Sequence, residues 1–158
     1  MSASVAALLA EARALGVERL DAQLLVGHGL GRPRTWVIAH DDAPLDDAAQ
    51  QAIRHALRER ARGVPLAYLV GEREFHGLRL KVTPAVLVPR PETEELVDWA
   101  LEILAGPLRD AAQPTVADLG TGSGAIALAI KQRCPRARVL AIDASEPALA
   151  VARDNAAR

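Results

Sequence analysis

The first run of the chain spaces its apolar residues with the period of a helix. Val5, Leu8, Leu9, Ala12 and Leu15 fall on one face, and Gly16 follows as a stop. Leu20, Leu24, Leu25 and His28 mark a second helix, closed by Gly29 and Gly31. Arg32-Pro33-Arg34-Thr35 reads as a turn, with Thr35 placed to cap a short helix from Trp36 to His40. Asp46 is placed to cap the next helix, whose inner face holds Ala49, Ile53, Ala56 and Leu57. Its other face carries Arg54, Arg58, Glu59, Arg60 and Arg62 and reads as solvated; Gly63 ends it. Residues 1–70 are therefore predicted to form a small helical bundle.

The period then changes from helix to strand. Leu78, Leu80 and Val82 alternate with polar residues, and His76-Gly77 supplies a tight turn after Glu72–Phe75. This hairpin, residues 71–83, reads as a linker between two domains. Residues 84–158 follow a mixed pattern. Val86-Leu87-Val88 is a short apolar run ended by Pro89-Arg90-Pro91, and Pro91 suits the first turn of a helix. Glu92, Glu94 and Glu95 fall in that first turn, where the helix dipole favours negative charge. Leu96, Val97, Ala100, Leu101 and Leu104 continue the helix to Gly106-Pro107. Thr115–Leu119 reads as a strand, Ala125–Lys131 as a helix and Arg138–Ile142 as a second strand. Ser145 and Pro147 open a last helix. The fold class is thus α/β, a helical bundle followed by part of a nucleotide-binding layer.

Composition narrows the partners. The 158 residues are 50% hydrophobic and 25% charged, with a net charge of −1, so no basic excess invites nucleic acid. Aromatic residues make up 3%, too few for a base-stacking platform. Cys134, the single cysteine, excludes an intrachain disulfide, suits a reducing compartment and reads as a small buried hydrophobe in a helix. No His or Cys partner sits at metal spacing from His28, so no metal is expected. Glu11 and Arg13 interrupt the apolar start, which is neither a signal peptide nor a membrane span. A cytoplasmic, monomeric protein without membrane contact is the expectation.

The chemistry concentrates between Asp118 and Asp143. A strand, a glycine turn Gly120-Thr121-Gly122-Ser123-Gly124, a helix, a strand and an acidic residue make half of a nucleotide-binding fold. The glycines permit a tight turn and close approach of a ligand, and the helix start beyond them offers unpaired N–H groups. Asp143, 19 residues after Gly124, can accept hydrogen bonds from the hydroxyls of a ribose. Gly120, Gly122 and Ala125 satisfy the dinucleotide pattern G-x-G-x-x-G/A, so a nicotinamide or flavin nucleotide is one candidate. Asp118 opposes a pyrophosphate and suits the ammonium and sulfonium of S-adenosylmethionine, and D-x-G-x-G-x-G describes residues 118–124 better. A methyltransferase is the favoured reading and an oxidoreductase the competitor.

Three segments resemble one family. Asp118-Leu-Gly-Thr-Gly-Ser-Gly-Ala-Ile-Ala-Leu-Ala129 is similar to the cofactor motif of the HemK-type protein-glutamine methyltransferases. Val88-Pro-Arg-Pro-Glu-Thr-Glu-Glu-Leu-Val97 resembles a second segment of that family, usually with Asp in place of Glu92, and Pro65–Phe75 resembles its domain junction. The resemblance implies S-adenosylmethionine as cofactor and, as substrate, the glutamine amide of the Gly-Gly-Gln motif in class I peptide chain release factors. It implies that Gly120, Thr121, Gly122, Ser123 and Gly124 line the methionine part of the cofactor, that Asp143 holds the ribose, and that Asp118 belongs to the same site. Arg90 and Glu92 fall near the active-site wall or serve packing and capping. The helical domain helps hold the release factor.

One departure stands against these matches. The family's Asn-Pro-Pro-Tyr motif, which orients the substrate amide, is absent here. The chain therefore reads as the N-terminal half of a Rossmann-like class I methyltransferase, with no catalytic residue of its own, and inactive alone. A ribosomal-protein glutamine methyltransferase and a release-factor-binding module without catalysis remain open as alternatives.

Overall fold

The computed structural model describes residues 4–158. The chain divides into two compact units, residues 1–70 and 71–158.

The first unit is helical: α1 (Val5–Ala14), α2 (Arg19–Leu30), α3 (Arg34–Ala39), α4 (Asp47–Ala61) and α5 (Leu66–Val70). Ser4 caps α1, its hydroxyl accepting from the Ala7 N–H at 3.3 Å. Asp46 caps α4 as expected, accepting from the Ala49 N–H at 2.7 Å. Val5, Leu8, Leu25, Val26, Val37, Ile53 and Leu57 form the core. Several details differ from the sequence reading. Gly29 lies inside α2 rather than closing it: a Cβ there would stand 2.4 Å from Ile53 Cγ1, so the glycine admits α4. The helix ends at Gly31, in the left-handed region. Leu20 is exposed, because the buried face of α2 runs through Ala22, Gln23, Leu25 and Val26. Pro33 occupies the N-cap of α3 and puts Thr35 inside the helix. The charged face of α4 is not wholly solvated. Arg54 grips the Glu11 carboxylate through two bonds of 2.7 and 2.8 Å, and Arg60 meets Asp21 at 2.6 Å. These pairs tie α4 to α1 and α2.

The second unit opens with the hairpin. Strands β1 (Glu72–Phe75) and β2 (Leu78–Lys81) pair antiparallel around His76 and Gly77, both at positive φ. Two successive residues of that hand give the tight hairpin turn its twist. Phe75 and Leu80 are buried with Val97, Leu104, Ala129 and Ile130. The hairpin is thus packed into the second unit. No strand forms at Val86–Val88; Val86 is buried and Leu87 exposed. Pro91–Thr93 makes one 3-10 turn that leads into α6 (Glu94–Ala105).

Next come β3 (Thr115–Leu119), α7 (Ala125–Arg133), β4 (Arg138–Ile142) and α8 (Glu146–Ala157). The strands pair parallel, Thr115 with Arg138 through Leu119 with Ile142, so β3–α7–β4 is a βαβ unit. Val116 and Val139 pack on the core shared with α6 and α7. Leu119, Leu140 and Ile142 are exposed. Cys134 lies half-buried at the C-cap of α7, ahead of Pro135, rather than within the helix. No helix among the described residues is long and apolar enough to cross a membrane.

Candidate functional site

The turn from β3 into α7 is built on positive φ. Gly120, Gly122 and Gly124 stand at 77, 56 and 83°, a hand that L side chains rarely adopt. A Cβ on Gly120 would meet nothing within 4 Å, and one on Gly122 only the Gly120 carbonyl at 4.0 Å. These two glycines therefore leave an open cradle above the turn. Gly124 does a different job: its Cβ would meet Leu128 at 3.2 Å and Ala152 at 3.3 Å. It admits α8 against α7.

The side chains between the glycines turn inward. Thr121 and Ser123 are both buried. The Thr121 hydroxyl donates to Asp118 Oδ2 at 2.7 Å, and the Ala127 N–H donates to the same oxygen at 3.2 Å. Asp118 thereby joins the end of β3, the turn and the first turn of α7. This explains why a carboxylate sits in a buried strand position: it satisfies a helix-start N–H that has no intrahelical partner. Its other oxygen, Oδ1, takes no hydrogen bond among the described residues and is not among the enclosed unpartnered atoms. That oxygen keeps access to solvent.

Asp143 ends β4 beside the turn. Its Oδ2 accepts from the Gly122 N–H at 2.9 Å and its Oδ1 from the Ser145 N–H at 2.9 Å. The Ser145 N–H, and then that of Gly122, hold the carboxyl below the usual aspartate range. Each oxygen retains a lone pair for a further donor. Ser145 itself caps α8 by accepting from the Ala148 N–H at 3.3 Å, so Asp143 is not the helix cap. The Ile142 carbonyl fixes the base of the turn, accepting from the N–H groups of Gly120 and Thr121 at 2.8 and 2.9 Å. Among the described residues the N–H groups of Ser123, Ala125 and Ile126 have no partner. Unpaired N–H groups make the start of α7 electropositive.

The arrangement is one open glycine turn with an available carboxylate oxygen at each strand end and free N–H groups at the helix start. It fits a ligand with a cationic group, a carboxylate and a pair of hydroxyls. Arg90 precedes the 3-10 turn and Glu92 lies within it, both exposed, and neither hydrogen-bonds to the glycine turn. Sequence reasoning missed Asn155, which is buried and donates to the Ser123 carbonyl at 2.8 Å. Its signal was weak but present: it shares a helical face with Val151 and Ala152, both buried.

Residues 3–71 match the model of the PrmC N-terminal domain, and residues 93–158 match the methyltransferase small domain. Over 143 residues, 90% of this chain, it is 50% identical to the release factor glutamine methyltransferase of Bordetella pertussis, covering 52% of that protein. The enzyme of the same name from Burkholderia pseudomallei is 50% identical over 144 residues, 91% of this chain and 49% of the relative. That from Salmonella typhimurium is 44% identical over 138 residues, 87% and 48% respectively. The chain spans about half the length of these relatives. Along the chain the two matches follow one another, the PrmC N-terminal domain first and the methyltransferase small domain second.

Proposed function

We propose that this chain provides the S-adenosylmethionine site and the partner-holding helical unit of a methyltransferase. Its substrate is the glutamine amide in the Gly-Gly-Gln motif of class I peptide chain release factors. The observation that carries the reading is the open glycine turn flanked by Asp118 and Asp143, in a chain half identical to enzymes named for that reaction. Asp118 Oδ1 faces the cofactor's ammonium, and the free N–H groups at the start of α7 face its carboxylate. Asp143 accepts from the ribose hydroxyls on lone pairs its backbone partners leave free. When bound, S-adenosylmethionine supplies an electrophilic methyl group on a sulfonium sulfur. A pyrophosphate would set its charge against both aspartates, which disfavours the dinucleotide reading.

Acceptance of that methyl group demands more than cofactor binding. An amide nitrogen is a weak nucleophile because its lone pair is delocalised, so the amide must be held with that lone pair directed at the methyl carbon. Asn155 is the single asparagine of the sequence and no Asn-Pro-Pro-Tyr occurs in it. Asn155 is also buried, with its amide engaged. These residues bind and position; orientation of the substrate amide is assigned to groups beyond those described. The first unit supports the partner assignment with a groove of about 550 Å³, floored by Leu9, Val17 and Val37 and edged by Arg13, Arg19 and Asp41. The reaction is placed in the cytoplasm, on a monomer.

Calorimetry and a transfer assay test this reading. The chain is expected to bind S-adenosylmethionine and not NADH, and to transfer no methyl group to unmodified release factor by itself. Transfer is expected once the C-terminal half of the Bordetella pertussis relative is fused to it. NADH binding in place of S-adenosylmethionine would promote an oxidoreductase. Methylation of a ribosomal protein in preference to the release factor would replace the substrate.

A further inference from the structure

The glycine turn is held from outside by a residue that sequence reasoning left unassigned. Asn155 Oδ1 accepts from the Lys81 N–H at 2.7 Å, and Nδ2 donates to the Lys81 carbonyl at 3.0 Å and to the Ser123 carbonyl at 2.8 Å. One side-chain amide thus pairs with Lys81 as a neighbouring strand would, and with its remaining donor reaches the glycine turn. The peptide unit between Ser123 and Gly124 is pinned at both ends, because the Gly124 N–H donates to the Thr121 carbonyl at 2.8 Å. The peptide unit before it carries the Ser123 N–H, which has no partner among the described residues.

An amide on the buried face of α8, beside Val151 and Ala152, loses its hydration and is tolerated because every bond is made. An apolar residue would fill the space and leave three backbone groups unpaired. We propose that Asn155 is a positioning residue: its side chain locks the glycine turn to hairpin strand β2 and so preorganises the backbone face that receives S-adenosylmethionine. The proposal rests on the glycine turn being the cofactor site.

The neighbouring residue provides the control. Asp154 also ties α8 to β2, through Lys81 Nζ at 2.6 Å, but makes no bond to the turn. Three variants of the whole chain are compared with the parent by calorimetric affinity for S-adenosylmethionine, by melting temperature and by amide hydrogen exchange. Asn155→Ala is expected to weaken binding by about five- to fiftyfold and to speed exchange at both Gly124 and Lys81. Asn155→Asp keeps the acceptor for the Lys81 N–H and loses both donors. It should weaken binding comparably and loosen Gly124 while Lys81 stays protected, and it decides the matter if the alanine variant does not fold. Asp154→Ala should leave affinity within about twofold, since exposed pairs contribute little. A folded Asn155 variant with a lowered melting temperature, unchanged affinity and unchanged Gly124 exchange would overturn the proposal. If the parent chain binds no S-adenosylmethionine, the cofactor reading fails, and Gly124 exchange still decides whether Asn155 locks the turn.

Discussion

Asp118 has two jobs on two oxygens, and a pair of substitutions separates them. Oδ2 accepts from the Thr121 hydroxyl at 2.7 Å and the Ala127 N–H at 3.2 Å, while Oδ1 is open. In Asp118→Asn the amide oxygen can take the place of Oδ2 and keep both bonds at neutral strength. Halving two charge-assisted bonds costs about 1.5–3 kcal/mol in all, several degrees or more of melting temperature for a domain this small. The same change puts an NH₂ group where the open oxygen stood, so a cationic ligand meets a donor. Loss of a charge-assisted bond of about 1.5–3 kcal/mol weakens S-adenosylmethionine about ten- to a hundredfold. Thr121→Val reverses the pattern. It removes the short hydroxyl bond from a buried carboxylate, at a cost of about 1.5–3 kcal/mol, and leaves Oδ1 ionic. Affinity should then stay within about threefold. Both quantities are read on one sample, by calorimetry and thermal melting. If Asp118→Asn melts like Thr121→Val and binds like the parent, Asp118 is a structural post and the argument from its open oxygen is refuted.

Three further outcomes are expected. Asp143→Ala should weaken S-adenosylmethionine binding by about ten- to a thousandfold and lower the melting temperature as well, since it also frees the Gly122 and Ser145 N–H groups. Lowered melting with unchanged calorimetric affinity would reject the ribose role. Glu11 is held below its ordinary value, first by its hydrogen bonds to Arg54, so its contribution to stability is present above about pH 4.3 and lost as pH falls through the lowered value. Urea denaturation of the parent and of Arg54→Ala should therefore differ at pH 7 and converge in acid; a gap independent of pH would assign the loss to packing of the arginine stem. Gly29→Ala, a change that ordinarily stabilises a helix by about 0.5–1 kcal/mol, should instead destabilise by about 1–3 kcal/mol because its Cβ meets Ile53 at 2.4 Å. A raised urea midpoint would show that Ile53 yields freely.

Local signals were legible and packing signals were not. The caps Ser145 and Asp46, the His76-Gly77 turn and the β3–glycine–α7–β4 order could be read directly, because each depends on residues within a few positions of one another. Gly29 was misread as a stop because nothing local distinguishes a glycine that ends a helix from one that admits a neighbour; Ile53 supplies the difference. The same holds for Gly124, whose close approach to Ala152 no local signal shows. Asp118 was read as facing a ligand, whereas one oxygen is spent on Thr121 and Ala127. The hairpin's change of texture was legible, but its burial through Phe75 and Leu80 was not. The short α5 carried too few residues to declare a period.

The two sets of bonds around the glycine turn differ sharply in sequence separation, and that difference sets an order of assembly. The Asp118 bonds join residues three and nine apart, whereas Asn155 must find Lys81 across 74 positions. Loops of about ten residues close in roughly 10–100 ns, while long-range contacts carry a larger closure entropy. The floor of the cradle should accordingly form with β3 and α7, early, and its clasp onto the hairpin late. Stopped-flow kinetics would then show Thr121→Val slowing refolding and Asn155→Asp mainly hastening unfolding. Ligand binding that depends on both would appear only with the second event, after the turn has already taken its shape.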